Sequence, residues 1–378
     1  MLEALYDAAE MQAAEAGHDV PALMERAGRA VARQALARFP HADSFAVVCG
    51  AGANGGDGRI AARFLRDAGR QAVETTAVTD ADVVVDALFG TGFRGPPRPE
   101  AAALIERINS AGAPVVSVDL PSGVDASTGE TPGAAVRASL TVTFHGTKVG
   151  LAVAPGRFHA GEVAVADIGL EPAETLHRLV TRRILDAVPR RAVHDNKYSA
   201  GSVVVVGGSR GLGGAVCLAA AAAFRADAGY VAVAAPESGL SLVEQRVLEA
   251  VKRACPEDDE GRLTEAAADV VLELAERAGA VAIGPGLGRS DGTRALVGRL
   301  LRELEVPVVV DADALFELEP SDRVAPTVLT PHAGELARLV GKPSAWVSAH
   351  RLEALALAVE RFDCIVLLKG ADTLVGAP

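Results

Sequence analysis

Residues 44–66 read SFAVVCGAGANGGDGRIAARFLR, which is an apolar run, a glycine-rich stretch and a helical pattern in that order. The apolar run at residues 44–49 predicts a buried strand, and residues 59–66 repeat apolar side chains at helical spacing. Between them, residues 50–58 hold five glycines and one carboxylate, Asp57. A strand, a glycine turn and a helix form the repeating unit of a doubly wound α/β fold.

The same rhythm occurs in both halves of the chain and predicts parallel strands joined by helices. In the first half we expect strands at residues 44–49, 72–78, 82–88, 114–119 and 140–144, and a helix at residues 23–36. In the second half we expect strands at residues 202–208, 230–235, 279–284, 307–311, 328–330 and 364–369, with helices at 214–228 and 345–361. The segment between the two halves is polar, lacks a clear periodic pattern and contains Pro172 and Pro189. We therefore predict two three-layer, doubly wound α/β domains, residues 1–172 and 200–378, joined by a linker at residues 173–199.

Composition excludes several classes of protein. The 378 residues are 49% hydrophobic and 4% aromatic with a net charge of -12, which argues against a surface for nucleic acid or anionic membrane. The four cysteines are far apart in the sequence, so we expect neither a disulfide framework nor a zinc site. No export signal or membrane span is evident, which predicts a cytoplasmic protein. A helical N-terminus with an apolar stripe suggests a homo-oligomer formed through the first domain.

The glycine stretch admits two interpretations. Its letters GAGANG fit G-x-G-x-x-G after a strand, and Glu74 lies where a ribose-binding acid belongs, which favours a nicotinamide-dependent dehydrogenase. Asp57 opposes that interpretation, because a carboxylate 4 Å from a pyrophosphate costs ~4 kcal/mol per charge pair at an effective dielectric constant of 20. A cation or a different face of the ligand is therefore needed at this site.

Two further strand ends carry carboxylates followed by glycine-rich turns. VVVDALFGTGFRG at residues 83–95 contains Asp86, and VVSVDLPSGVD at residues 115–125 contains Asp119 and Ser122. Strand ends of a doubly wound sheet converge on one crevice, where oxygens of Asn54, Asp86 and Ser122 would suit a hard cation. Each acid alone is equally explained as a helix cap or a turn former, and Asp119 as a structural hydrogen-bonding group at the strand end.

These motifs, with AEM at 9–11 and LMERAG at 23–28, resemble the NAD(P)H-hydrate epimerase domain of the YjeF N-terminal type, a Rossmann-like fold, over residues 1–170. The resemblance implies a potassium ion on Asn54, Asp86 and Ser122, and Asp119 as the catalytic acid and base. Ala53 stands where that family usually has a second Asn. The resemblance also implies that the hydrated dinucleotide contacts Ala53, Asn54, Gly55, Gly56, Asp57, Gly90, Thr91, Gly92, Phe93, Arg94, Gly95, Pro96 and Asp119.

The second half has five turns at predicted strand ends, at residues 207–215, 283–288, 311–315, 329–335 and 368–373, and all but the third contain glycine. Together they suggest a crevice for a phosphate-bearing ligand, with Lys369 as a point charge for phosphate. They resemble the ADP-dependent NAD(P)H-hydrate dehydratase domain, a ribokinase-like fold. By that resemblance Ala215, Gly286 and His332 face the substrate, although a lone histidine is more often a core or capping residue. The same resemblance assigns ADP or ATP to Lys369, Gly370, Ala371, Asp372 and Thr373.

The order of the two halves resembles that of the bifunctional NAD(P)H-hydrate repair enzymes, which epimerise R- and S-NAD(P)HX and then dehydrate the S form. The G-T-G-D segment of that family does not follow the turn at 369–373, so we expect a truncated second domain that binds without dehydrating. Asp311 and Asp313 are expected to be structural or associated with Mg²⁺. Two alternatives remain: a non-catalytic scaffold, since related N-terminal domains occur in an mRNA-decapping enhancer, and a ribokinase-type kinase for small molecules.

Overall fold

The computed structural model describes residues 2–75, 78, 80–188, 193–194 and 200–378. It divides into two compact units, Met1–Val188 and Pro189–Pro378. The division falls inside the predicted linker at 173–199, of which residues 189–192 and 195–199 lie outside the described residues. Within the described ranges, none of the helices is both long and apolar enough to cross a bilayer.

The first unit is built on a six-stranded parallel sheet in the order β3-β2-β4-β5-β6-β8. Its strands and those of a smaller sheet are β1 Leu2–Tyr6, β2 Ser44–Cys49, β3 Gln71–Thr75, β4 Val83–Ala87, β5 Val115–Val118, β6 Leu140–Phe144, β7 Thr147–Lys148, β8 Glu162–Ala166 and β9 His177–Val180. Its helices are α1 Ala8–Glu15, α2 Val20–Arg38, α3 Ala53–Asp67, α4 Pro99–Ser110 and α5 Val149–Ala152.

Helices cover both faces of this sheet because successive strand residues point to opposite sides. Phe45 and Val47 of β2 pack in one buried cluster with α2 and α3, whereas Val48 packs in another with α4. The three-layer arrangement expected for the first domain is therefore confirmed.

The two ends of the first unit differ from what the sequence predicted for them. Residues 2–6 form strand β1 rather than a helix, and α1 begins only at Ala8, where Asp7 forms a capping box with Glu10. Strand β1 pairs with β7 on one side and with β9 on the other. The predicted linker thus begins with a strand of the first unit, and the dimer expected through the N-terminal helix stays a prediction.

The second unit contains an eight-stranded sheet in the order β12-β11-β10-β13-β14-β15-β16-β17, parallel except for the final pair. Its strands are β10 Ser202–Val206, β11 Tyr230–Pro236, β12 Val251–Cys255, β13 Ala280–Ile283, β14 Val308–Val310, β15 Thr327–Leu329, β16 Ile365–Leu368 and β17 Leu374–Gly376. Its helices are α6 Gly213–Arg225, α7 Leu240–Arg246, α8 Ala267–Ala275, α9 Asp291–Glu303, α10 Ala333–Val340, α11 Ser344–Ala349 and α12 Arg351–Phe362. Alternate residues of β10 face two separate clusters, one with α8 and α9 and one with α6 and α7.

Most predicted elements agree with the structure within a few residues, and three differ. The strand expected at 72–78 ends at Thr75, and residues 76 and 77 lie outside the described residues. The helix expected at 345–361 is divided into α11 and α12 at His350. The helix expected from Arg59 begins six residues earlier, at Ala53, so most of the glycine stretch is helical.

Candidate functional site

The glycines at the start of α3 are required by close contacts. None of the glycines at positions 50–58 has a positive φ. A Cβ at Gly55 would lie 1.9 Å from the carbonyl oxygen of Gly50, and one at Gly56 would lie 1.9 Å from Cε of Met24. Bare backbone here lets the first turns of α3 press against the end of β2 and against α2. This packing places Asn54 and Asp57 at the carboxyl edge of the sheet.

A cavity of about 780 Å³ opens at this edge. It brings together most of the residues predicted to contact the dinucleotide: Ala53, Asn54, Asp57, Gly90, Thr91, Gly92, Phe93, Arg94, Pro96 and Asp119. Gly55 and Gly56 serve the packing of α3, and Gly95 adopts a turn with φ 68. Three separate segments of the first unit therefore meet at one cavity, as expected for the ends of parallel strands.

Asp86 and Ser122 contact each other beneath this cavity. Asp86 is fully buried, and its oxygens accept hydrogen bonds from Ser122 Oγ at 2.6 Å, Ser122 N at 2.9 Å and Ser117 Oγ at 2.9 Å. Burial raises the pKa of Asp86, and these hydrogen bonds oppose the rise. Ser122 Oγ also accepts from the backbone N–H of Phe89, which ties the loop after β4 to the loop after β5.

Asn54 and Asp119 both approach Gly90. A Cβ at Gly90 would lie 3.0 Å from Asn54 Oδ1 and 3.3 Å from Asp119 Oδ2, so glycine leaves room for both side chains. Asn54 is 8% exposed, and its Nδ2 has no hydrogen-bond partner within the described part of the chain. A buried amide donor without a partner is costly and points to a ligand.

Asp119 is held by a lysine that the sequence analysis missed. Lys148 is 1% exposed, and its Nζ lies 2.8 Å from Asp119 Oδ1. The same ammonium donates to Thr143 Oγ1 at 2.9 Å and to the carbonyl oxygen of Phe144 at 2.7 Å. Thr143 Oγ1 in turn donates to Asp119 Oδ1 at 3.2 Å. Lys148 follows β6 by four residues, and its place after an apolar strand was the only available signal.

The surroundings of Asp57 differ from those of Asp119. Asp57 is 8% exposed, and its Oδ1 has no hydrogen-bond partner among the described residues. Burial, then the charge of Asp119, then that of Glu15 raise the pKa of Asp57 to about 8. Glu15, at the end of α1, also lines the cavity, and burial and Asp119 raise its pKa while Lys148 lowers it. Three carboxyl groups therefore share one cavity, and only Asp119 has an ion pair with Lys148.

The glycine-rich loop after β4 forms the other wall. Phe89 and Phe93 stack with ring centroids 4.9 Å apart, and Arg94 pairs with Asp125 at 3.2 Å. Thr91 N donates to Asp119 Oδ2 at 3.2 Å, which joins this loop to the carboxylate. The wall thus offers a pair of stacked aromatic rings and a guanidinium that is engaged by Asp125.

In the second unit, the predicted turns follow strands that are neighbours in the sheet. The turn after β10 is bonded to the turn after β13, where Ser209 N and Oγ both donate to the carbonyl oxygen of Gly286, at 2.7 and 2.9 Å. Leu212 accepts from Ala215 N, and a Cβ at Gly286 would lie 2.5 Å from the Leu212 carbonyl oxygen. Ala215 and Gly286 are therefore brought together at the sheet edge.

His332 acts as a helix cap. Its Nδ1 accepts from Gly334 N at 2.9 Å and from Glu335 N at 3.3 Å, which forms a capping box at the start of α10. This is the capping role considered from the sequence, and it leaves Nε2 on an exposed ring, 3.4 Å from Glu335 Oε1. The cap fixes the orientation of the ring at the sheet edge.

Asp311 and Asp313 of the second unit each pair with a cation. Lys369 Nζ lies 2.7 Å from Asp311 Oδ1 and 4.0 Å from Glu335 Oε2. Asp313 pairs with Arg289 at 2.9 Å and accepts from Gly288 N. These pairs favour the structural role for Asp311 and Asp313.

Arg351 supports the turn at residues 369–373 from beneath. It is 6% exposed and donates from Nη2 to the carbonyl oxygen of Asp372 at 2.8 Å and from Nε to the Asp372 carboxylate. A Cβ at Gly370 would lie 2.6 Å from Arg351 Nη2, so the turn lies directly on the guanidinium.

Sequence comparisons match both units to known families. Residues 20–79 and 71–150 match the model described as YjeF-related protein N-terminus, and residues 203–378 match the model described as NAD(P)H-hydrate dehydratase. The bifunctional NAD(P)H-hydrate repair enzyme Nnr of Moorella thermoacetica is 38% identical over 88% of this chain and 72% of its own length. The chain belongs to this family of bifunctional repair enzymes. The Nnr protein of Thermofilum pendens is 37% identical over 94% of this chain and 76% of its own length.

A solved structure also aligns with this family member. The ADP/ATP-dependent NAD(P)H-hydrate dehydratase of Bacillus subtilis, co-crystallised with ATP and Mg²⁺, is 26% identical over 52% of this chain and 68% of its own length, with a TM-score of 0.45. The assignment of this chain to the repair-enzyme family rests on the sequence matches. Its fold rests on the strand order of the two units.

Membership in the repair-enzyme family confirms the recognition made from the motifs and removes the basis of the dehydrogenase interpretation. Glu74, the acid expected to bind ribose, pairs instead with Arg66 at 3.5 Å and Arg59 at 3.9 Å. The order of the two family matches along the chain is the order predicted from the sequence.

Proposed function

We propose that the first unit interconverts the R and S forms of NAD(P)H hydrated at C6, and that the second unit binds adenine nucleotide for dehydration of the S form. The observation that supports the first activity is the cavity of about 780 Å³ with Asp57 and Asp119 both buried in its wall. Carboxyl groups in different surroundings within one cavity are suited to proton transfer.

The chemistry of epimerisation needs no redox cofactor. Hydrated NAD(P)H has a hydroxyl group on C6 next to the ring nitrogen N1, so the centre inverts when the C6–N1 bond opens and closes again. Opening removes the hydroxyl proton and leaves an aldehyde at C6, and closing reverses this step on the other face. Asp119 is the proposed base, because Lys148 holds its Oδ1 in an ion pair while its Oδ2 lies beside Gly90 at the cavity.

The test of epimerisation couples the chain to a separate, intact dehydratase. R-NAD(P)HX is supplied alone, and recovery of NAD(P)H is followed by absorbance. With this chain present, NAD(P)H is expected to be recovered from the R form faster than spontaneous epimerisation allows. A rate equal to that of the dehydratase alone would reject the proposal.

A potassium ion on Asn54, Asp86 and Ser122 fits the chemistry of this site. An amide oxygen, a carboxylate and a hydroxyl are hard oxygen ligands. Ser122 Oγ already lies 2.6 Å from Asp86 Oδ1. When bound, the ion would supply positive charge that offsets the carboxyl groups near the phosphates of the dinucleotide.

For the second unit we propose that the turn with Lys369, Gly370, Ala371, Asp372 and Thr373 holds ADP or ATP with Mg²⁺, and that Ala215, Gly286 and His332 face the substrate. The support is the adjacency of these turns in the sheet and the buried Arg351 beneath Gly370. In this reaction ADP transfers its terminal phosphoryl group to the C6 oxygen and leaves as AMP; phosphate then leaves C6 while a proton is lost from C5, which restores the dihydronicotinamide. Calorimetric titration with Mg-ADP is the direct test, and Lys369→Met is expected to weaken binding about tenfold.

A scaffold role for the first unit is the second candidate. It is disfavoured by the unpaired polar atoms of Asn54 and Asp57 in the cavity, since burial of such groups is costly unless they serve a ligand. Absence of epimerisation by the wild-type chain in the coupled assay would favour the scaffold.

A further inference from the structure

The two oxygens of Asp119 have separate tasks. Oδ1 accepts from Lys148 and Thr143, at 2.8 and 3.2 Å, whereas Oδ2 accepts only from Thr91 N within the described ranges, at 3.2 Å. The Lys148 ammonium uses its three N–H groups on Asp119, Thr143 and the Phe144 carbonyl. Lys148 is therefore fixed, and it holds one oxygen of Asp119 while the other remains available at the cavity.

Asp57 lies in the same cavity, and among the described residues no lysine or arginine forms an ion pair with it. Its Oδ1 is buried and has no hydrogen-bond partner in the described part of the chain. The charged groups that act on it are Asp119, from the loop after β5, and Glu15, from the end of α1, with Lys148 beyond Asp119. Burial and two like charges favour the neutral acid, so the pKa of Asp57 is raised.

The geometry points to a division of labour in which Asp57 is the proton donor, Asp119 the proton acceptor, and Lys148 the residue that positions Asp119. This inference rests on the proposed epimerase function and adds a second catalytic residue to it. Asp57 and Asp119 line one cavity from two different elements, the first turns of α3 and the end of β5. A substrate ring in that cavity therefore meets one carboxylic acid and one carboxylate.

Both protons are accounted for in this scheme. Asp119 takes the proton of the C6 hydroxyl, the oxygen forms the aldehyde double bond, and the electron pair of the C6–N1 bond moves to N1. Asp57 gives its proton to N1 as that bond breaks. Rotation about the C5–C6 bond turns the other face of the aldehyde towards N1. The reverse transfers then close the ring and return both carboxyl groups to their starting states.

The test compares Asp57→Asn with Asp67→Asn. Both substitutions lie on α3, but Asp67 is the exposed last residue of the helix, away from the cavity. In the coupled assay with R-NAD(P)HX, Asp57→Asn is expected to lower kcat about 100-fold or more and to change KM less than threefold. Asn keeps the size and neutrality of the acid and loses only the transferable proton. Asp67→Asn is expected to match the wild-type chain.

Lys148→Met and Lys148→Arg test the positioning role. Removal of the cation is expected to lower kcat and to move the acid limb of its pH profile to higher pH, because the Asp119 carboxylate loses its partner. Lys148→Arg keeps a cation, so this variant is expected to restore part of kcat and to return the acid limb of the pH profile to its wild-type position. A purely structural lysine would change the melting temperature without moving that limb.

The outcomes separate this inference from the function on which it rests. If the wild-type chain fails to interconvert the R and S forms, the proposed function is rejected and the inference with it. If the wild-type chain is active and Asp57→Asn retains full kcat, only the role of Asp57 is overturned. An unmoved pH profile in Lys148→Met overturns the positioning role, even where Asp57→Asn cannot be purified.

Discussion

The two units share one architecture and treat their acidic residues in opposite ways. In the first unit, Asp57 and Glu15 lie at the cavity with raised pKa values. In the second, Asp311 and Asp313 are paired with Lys369 and Arg289, within 3 Å. The same carboxyl edge of a parallel sheet can therefore supply titratable acids for proton transfer or, with its acids paired, backbone amides for phosphate.

The largest effect is expected where the first unit loses its base. Asp119 has φ 66, a left-handed conformation that Asn tolerates better than Ala, so Asp119→Asn is the less disruptive choice. We expect kcat for epimerisation to fall about 1000-fold. The measurement is the coupled assay, with Mg-ADP binding by the second unit as the control that should not change. A fall of less than fivefold would contradict the role of Asp119.

The next largest effect is expected for the buried pair of Arg351 and Asp372 in the second unit. Arg351→Met removes the guanidinium that contacts Asp372 and supports Gly370, and breaking a buried pair costs about 3 kcal/mol. We expect a lower free energy of unfolding in urea and weaker Mg-ADP binding. Arg338→Met is the matched control, because Arg338 is exposed on α10. Equal stability of the two variants would show that the pair contributes little.

The third prediction concerns pH and the acids of the first unit. The pKa of Asp57 is raised from 3.8 to about 8, so the folded chain keeps a proton that the unfolded chain releases. This group therefore lowers stability as pH rises from about 4 to 8, by about 1.4 kcal/mol per pH unit, and has no further effect above that range. Urea unfolding of Asp57→Asn should show a smaller decline between pH 5 and 7 than the wild type. Parallel curves would contradict the raised pKa.

The smallest effect concerns the cation. Replacing NaCl by KCl at equal ionic strength should raise the melting temperature by about 2–4 °C if potassium binds only the folded chain. Asn54→Ala removes the proposed amide ligand and should abolish the difference. Choline chloride controls for ionic strength. A shift that persists in Asn54→Ala would exclude this ligand.

Strand β2 and the convergence of three strand ends were predictable because apolar runs and turn residues leave a direct mark on the sequence. The start of α3 was predicted wrongly. Glycine usually signals a turn, whereas Gly55 and Gly56 are needed for close packing inside a helix. Lys148 was missed for a related reason: nothing local to a lysine reveals that it pairs with a carboxylate 29 positions earlier.

The burial of Lys148 also has a practical consequence for chemical footprinting. Lys148 is 1% exposed and lies in β7, where it is the register partner of Tyr6 in β1. An acylating reagent should therefore modify it only after the small sheet separates, while an exposed amine such as that of Lys342 reacts at once. Acylation of Lys148, read by mass spectrometry, would follow the opening of the first unit without a signal from the second.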